Sequence, residues 1–283
     1  MILLKYYMIR GKYKAAEQLA RDLKAMEGRT YELLPDYNSI FTKENEGNKE
    51  IVFAVPCISS TSWVCNYMTA EGLPSDLPWV EKSSGWGGYV LPWAFYDTFE
   101  QGDQRTKSII TQYTNINGIL QTRDNNTQLS YGPLPLKYGK DSDMNGAQSG
   151  VDLVVYRYAD VLLTLAECII RNERMPTQEV VSLVNRVRRR AGLADLSTEK
   201  TASEDVFLKA ILTEREHEFW MEGLSRQDQI RFDEYVTRTN ERIAKANSIG
   251  KSYFTVTDFH NRMWIPQTFI DESKGIIKQN QGY

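Results

Sequence analysis

The sequence predicts a mainly α-helical protein, with helical hairpins packed against an irregular, loop-rich lobe that carries little β-sheet. Three observations lead there. Apolar residues recur with helical period in segments near both ends of the chain. Only one run, Glu50-Ile-Val-Phe-Ala-Val55, reads as a clean strand, β-branched and aromatic and ended by Pro56. Between these, residues 45–150 hold six of the nine prolines, eleven of the eighteen glycines and four of the six tryptophans, a composition that breaks helices.

Taken in order, residues 1–44 open with a helical hairpin over 1–34. Tyr7, Gly11, Tyr13, Ala16 and Ala20 fall where a tetratricopeptide-like unit places its inter-helix glycine, packing tyrosine and close-contact alanines. The small Ala16 and Ala20 let the second helix approach the first. Such a unit cannot bury its apolar face alone, so the sequence leads one to expect further structure before it. Residues 45–150 form the aromatic lobe of turns, including SSTSW, GLPSDLPW, GWGGY and YGPLPLKYG. Loops this long are usually functional or disordered, and their aromatic content argues against disorder.

Residues 151–250 return to helix. Tyr158, Val161, Leu162, Leu165, Ala166 and Ile169 make an i, i+3, i+4, i+7 stripe. Pro176 opens a second helix through Arg190, and Gly192 stops it. A third long helix is predicted over Glu204–Gly223, then polar helix or loop to about Gly250. Residues 251–283 read as an irregular tail packing on the helices, with Trp264-Ile-Pro266 and a terminal QNQGY.

Composition excludes several classes. At 283 residues the chain can bury a core without staples. Lys+Arg at 34 against Asp+Glu at 37 gives −3, so there is no net basic field for nucleic acid. The Arg186–Arg190 run then reads as a solvated or ion-paired helix face. Three cysteines without CxxC spacing and two histidines, His217 and His260, predict no metal site. Gly85-Trp86-Gly87-Gly88 lacks the spacing of a phosphate cradle, and no cofactor is implied. The longest apolar run, Ile51–Ile58, is broken by Pro56 and far too short to span a bilayer. The start, MILLKYYMIR, has no basic n-region or cleavage site, so composition alone reads as soluble and unexported.

Two constellations invite chemistry. His217-Glu218 begins an HExxH pattern, but position 221 is Met221 and the motif fails. Glu214, Glu218 and Glu222 step by four, so a continuous helix would align them on one face, each like-charge step costing about 0.2–0.5 kcal/mol. A glycosidase acid/base pair needs two carboxyls facing across a cleft. An ion network with Arg226 and with Arg186, Arg188, Arg189 and Arg190 is the expected alternative, and no catalytic residue is assigned. In Gly85-Trp86-Gly87-Gly88 the glycines strip away neighbouring side chains and leave an indole face open. Such a face suits the axial C–H groups of a sugar ring. Trp86, Trp63, Trp79 and Tyr89 are therefore the candidate ligand contacts, against the alternative that some only plug the core beneath long loops.

With these residues in place, the chain resembles the SusD/RagB family of surface glycan-binding lipoproteins of Bacteroidota. The resemblance is carried by Tyr31-Glu-Leu-Leu-Pro-Asp-Tyr37 through Phe41, Asn48-Lys-Glu-Ile-Val-Phe53, Gly85–Gly88 and Asp103-Gln-Arg105. It continues through Tyr156-Arg-Tyr-Ala-Asp-Val-Leu-Leu163 with Glu167, Asn185-Arg-Val-Arg188 to Ala191-Gly-Leu193, and Glu214-Arg215 through Glu222-Gly223 to Arg226, Asp228 and Arg231. Trp264-Ile-Pro266 and Gln279-Asn-Gln-Gly-Tyr283 resemble the family ending, with Gln281 where proline is usual.

The resemblance implies a SusD-like fold and a non-catalytic protein that binds an oligosaccharide. It further implies delivery to a SusC-like TonB-dependent transporter, and a surface-exposed place at the outer membrane. Family members are exported and tethered by a lipidated cysteine that this sequence lacks, so it looks like the C-terminal part of such a protein. Membrane contact is then expected only through that anchor, and the unexported reading is reversed. Two alternatives stay open: a helical-repeat scaffold for another protein, and a glycoside hydrolase. Exposed loop aromatics favour glycan binding, buried ones the scaffold, and a carboxylate pair across a cleft the hydrolase.

Overall fold

The structure, a computed structural model, describes every residue except Ser62. The chain forms two compact units, Met1–Ser225 and Arg226–Tyr283.

The first unit begins with helices α1 (Ile2–Ile9) and α2 (Tyr13–Lys24). Gly11 between them has φ +65°, a left-handed value that glycine reaches without steric cost. Leu4 and Met8 of α1 and Ala16 and Ala20 of α2 are buried. The chain then runs through strand β1 (Ile51–Val55) into the lobe. The lobe contains short helices α3 (Met68–Gly72) and α4 (Trp93–Tyr96), strands β2 (Ile109–Ile110), β3 (Tyr113–Thr114) and β4 (Leu120–Gln121), helix α5 (Thr127–Tyr131) and strand β5 (Leu134–Pro135). Strand β6 (Leu153–Arg157) returns to the helical part, leading into α6 (Tyr158–Glu173), α7 (Gln178–Arg190) and α8 (Glu204–Glu218).

The strand predicted over Glu50–Val55 forms over Ile51–Val55 and pairs antiparallel with β6, from Ile51↔Arg157 to Val55↔Leu153. Tyr158 N also donates to Glu50 O at 2.7 Å. This ladder ties the two ends of the lobe together and sets Arg157 at the foot of α6. Strands β2 with β5 and β3 with β4 make two-residue ladders, so the described residues hold little sheet. The rest of the lobe coheres through side chains, around Leu73, Tyr113, Leu129, Leu134 and Leu136.

Helix α6 is buried from Tyr158 to Ile170, as expected of a helix covered on all sides. Its neighbours are α2, α7 and α8, and α2 packs more extensively on α6 than on α1. The small residues of α2 therefore lie in a helix whose main partner is α6, a relationship that local sequence spacing does not reveal. Thr177 caps α7 and Ser203 caps α8 through their side chains. Helix α8 ends at Glu218, five residues before the predicted Gly223. Phe219 and Trp220 turn inward and are buried, and Met221 takes a left-handed φ of +60°. The chain gains the burial of two aromatic rings by giving up the last helical turn.

In the second unit, α9 (Ser225–Arg231), which begins at the boundary, α10 (Tyr235–Ser248) and the short α11 (Gln267–Glu272) are joined by irregular chain. Side-chain amides replace a β-ladder here. Asn240 donates to Val256 O and accepts from Val256 N, at 2.9 and 2.8 Å. Gln279 does the same for Ile265, both bonds at 2.8 Å, which gives the terminal QNQGY a structural task. Among the described residues, no helix is long and apolar enough to cross a membrane.

Candidate functional site

Two features of the first unit concentrate polar chemistry: a buried charge network between the helices and the lobe, and an aromatic, polar-walled cavity within the lobe.

The network answers the question raised by the three glutamates. Arg105 is fully buried and donates to Asp103 at 2.7 Å, Glu214 at 2.6 Å and Glu218 at 3.2 Å. Arg157 reaches Glu50 and Glu222, each at 2.8 Å, and also Glu218. Arg190 pairs with Glu50 at 3.1 Å and with Glu218, and Arg188 with Glu100 at 2.8 Å and Glu214 at 3.2 Å. Of the arginines expected to face the glutamates, Arg188 and Arg190 do so. Arg186 instead pairs with Glu27 and Arg189 with Asp195. Because α8 ends at Glu218, Glu222 enters the network from the following turn rather than from the same helix face.

Burial alone would raise the Glu218 carboxyl, but Arg190, Arg157 and Arg105 outweigh it and hold the group well below the usual carboxylate range. A carboxyl so fixed as an anion is a poor general acid. Lys137 is the reverse case. Burial pulls its amine down to about 7 against the opposing pull of Glu222. It donates to Glu222 and to Trp220 O at 2.7 Å, with the Phe41 and Trp220 rings 4.7 and 4.9 Å away. His217 is buried too, its Nε2 2.8 Å from Thr98 Oγ1 and its ring stacked on Phe99 at 4.3 Å. Among the described residues, no cluster of three or more His, Cys, Asp or Glu could hold a metal ion.

The cavity, about 380 Å³, is lined by Trp86, Gly87, Asp76, Tyr113, Asn126 and Gln128 among others. Trp86 is 56% exposed, and Tyr67 stacks on it with ring centroids 5.3 Å apart and planes inclined by 22°. Backbone bonds fix this loop against α3: Trp86 N to Ala70 O, Gly87 N to Leu73 O and Tyr89 N to Glu71 O, at 2.8–2.9 Å. Gly85 has a role beyond leaving the indole uncovered. A Cβ there would lie 1.9 Å from Leu73 O, so only glycine lets the two backbones approach this closely.

Much of the remaining lining is polar. Asp76 accepts from the Tyr113 hydroxyl at 2.7 Å and from Asn115 at 3.2 Å. Burial and then Asp76 push the Tyr113 phenol up, which keeps it a neutral donor. Asn126 caps α5 by accepting from Leu129 N at 3.0 Å while donating to Tyr113 Oη at 3.2 Å. Gln128 donates weakly to Gly72 O and Tyr89 O, at 3.4 and 3.5 Å. An aromatic face in a cavity that also carries amide, hydroxyl and carboxylate groups suits an uncharged, polyhydroxylated ligand.

Of the four residues singled out from sequence, Trp86 lines this cavity. Tyr89 is 59% exposed beside it in sequence, and Trp63 is 92% exposed on its loop. Trp79 is half-buried, packed against the Leu73 cluster with the Lys140 amine 4.9 Å from its ring. Sequence reasoning missed Tyr67, Asp76, Tyr113, Asn126 and Gln128. They come from four separate stretches of the lobe, Asn126 and Gln128 sharing α5 and its N-cap, and the polar run Asn125-Asn-Thr-Gln128 is the one local signal that could have found any of them.

The family model described as the SusD family matches residues 111–283. SusD-like protein P2 of Formosa agariphila is 28% identical over 240 residues, which cover 78% of this chain and 47% of that protein. The chain thus spans about half the length of that curated relative. A SusD homologue from Bacteroides thetaiotaomicron superposes with a TM-score of 0.77 at 21% identity, covering all of this chain and 63% of that one. Surface glycan-binding protein A from the same organism, solved in complex with laminarihexaose, gives a TM-score of 0.71 at 22% identity, covering 98% of this chain and 62% of that one. At these identities the superpositions speak for a shared fold.

Proposed function

Because the chain belongs to the SusD family, we propose that it is a non-catalytic glycan-binding protein that holds an oligosaccharide at the Trp86 cavity. Trp86 is the stacking platform, with Trp63, Trp79 and Tyr89 as the further aromatic contacts. Asp76, Asn126 and Gln128 supply hydrogen bonds to sugar hydroxyls. The observation that carries this reading is the exposed indole of Trp86, backed by Tyr67, at the edge of a polar-walled cavity.

The same reading extends to the whole protein. It places the site at the outer-membrane surface, where bound oligosaccharide passes to a SusC-like TonB-dependent transporter. The complex of a fold relative with laminarihexaose makes β-glucan oligosaccharides the first ligands to try. A hydrolase is disfavoured because Glu214, Glu218 and Glu222 are each held by buried cations. The exposed loop aromatics weigh against a pure protein scaffold.

The test is affinity electrophoresis and calorimetry with a panel of soluble glycans, for the protein and for Trp86→Ala. Retardation by at least one glycan, lost in the variant, with no reducing ends released, supports the proposal. Release of reducing ends, or no retention by any glycan, overturns it.

A further inference from the structure

The two half-buried cysteines of the lobe, Cys57 and Cys65, flank the loop that carries Trp63. Both are thiols in this structure. The loop is closed by Ile58 N donating to Val64 O at 2.7 Å, and Cys57 and Cys65 are the residues just outside that bond on its two arms. Both sides are pinned to the same stretch of chain. Cys57 N donates to Asp152 Oδ1 at 2.9 Å. Next to Cys65, the Asn66 backbone exchanges bonds with Ser149 at 2.8 and 3.1 Å, and its side chain donates to Val151 O at 3.0 Å. Residues opposed in an antiparallel pair have Cα atoms about 4.5–5.5 Å apart, within the range a disulfide spans. Burial pushes the Cys57 thiol up, with Asp152 and Cys65 adding to it, so the two sulfurs also feel each other electrostatically.

We infer that Cys57 and Cys65 form an intramolecular disulfide under oxidising conditions, clasping the base of the Trp63 loop. The oxidant is a disulfide, either of a small thiol or of a dithiol oxidoreductase. The thiolate of one cysteine attacks a sulfur of that disulfide and displaces one thiolate. The second cysteine then attacks the protein sulfur of the mixed disulfide and displaces the other. Two electrons and two protons pass to the oxidant, which leaves as two thiols. To close the bond, Cys57 gives up its weak contact to Val55 O at 3.5 Å, and Cys65 its contact with the Tyr67 hydroxyl. Tyr67 is the ring that backs Trp86, so closing the bond releases a contact made to the Trp86 platform. That consequence for glycan binding rests on the function proposed above, whereas the bond itself does not.

The experiment equilibrates the purified protein with excess oxidised glutathione, blocks remaining thiols after acid quench and denaturation, and counts them beside peptide mass spectrometry. The expected result is a fall from three free thiols to one, Cys168, with a peptide linking Cys57 to Cys65. Cys57→Ser should show no such peptide and carry glutathione on Cys65. Three free thiols, glutathione on both cysteines of the unaltered protein, or disulfide-linked dimers would each overturn the inference. None of these readouts involves a glycan, so failure here is separable from failure of the binding proposal.

Discussion

Tyr67 lies against one face of Trp86, with ring centroids 5.3 Å apart, and leaves the rest of the indole at the cavity. Tyr67 immediately precedes α3, and Trp86 lies on the later loop whose backbone is bonded to that helix. A stacked ring that fixes its neighbour lowers the ordering cost of binding.

Trp86→Ala is therefore expected to weaken glycan binding by about 1–2 kcal/mol, in the range of an aromatic stacking contact. Its melting temperature should stay close to that of the unaltered protein, since the indole is more than half exposed. Calorimetry and scanning fluorimetry on one preparation check both. A collapse in stability would make Trp86 a core residue.

Gly85→Ala and Gly88→Ala should differ. The first puts a methyl 1.9 Å from Leu73 O and must displace the loop, lowering both stability and glycan affinity. The second meets Glu71 Oε2 at 3.4 Å, an ordinary contact, and should be tolerated. Equal behaviour of the two variants in thermal melts would contradict the close approach described at Gly85.

Glu218→Gln removes the anion shared by Arg105, Arg157 and Arg190. Breaking a buried ion pair by removing one partner costs about 3–5 kcal/mol, and the remaining acceptors of these arginines set the lower end as the expectation. Denaturant unfolding measures the loss. Glycan affinity of the folded fraction should be unchanged, because the network is remote in role from the cavity.

Acid should destabilise the first unit. Arginine partners hold Glu218, and Lys5 with Arg215 hold Asp160, below their unfolded values despite burial. The unfolded chain therefore binds more protons than the folded one as pH falls below about 4–4.5. Stability is full above that range and declines as pH falls through it. Melting temperatures between pH 6 and pH 3 should follow this course, and a flat profile would refute the role given to these carboxylates.

The sequence by itself determined the helices α2, α6 and α7, the strand β1, the aromatic lobe and the family. These are written in local periodicity, in glycine and proline placement, and in motifs that stay close together along the chain. It also pointed to Trp86, whose flanking glycines are a local signal. Tertiary structure alone decided the rest. Helix α8 stops at Glu218 because burying Phe219 and Trp220 outweighs one more helical turn, a balance no local propensity contains. Arg105, Arg157 and Lys137 meet the glutamates only because β1 and β6 pair and bring the lobe back to the helices. The polar lining of the cavity gathers Asp76, Tyr113 and the Asn126–Gln128 segment from three separate parts of the lobe. Convergence of this kind depends on long-range packing, and a single sequence carries no periodic trace of it.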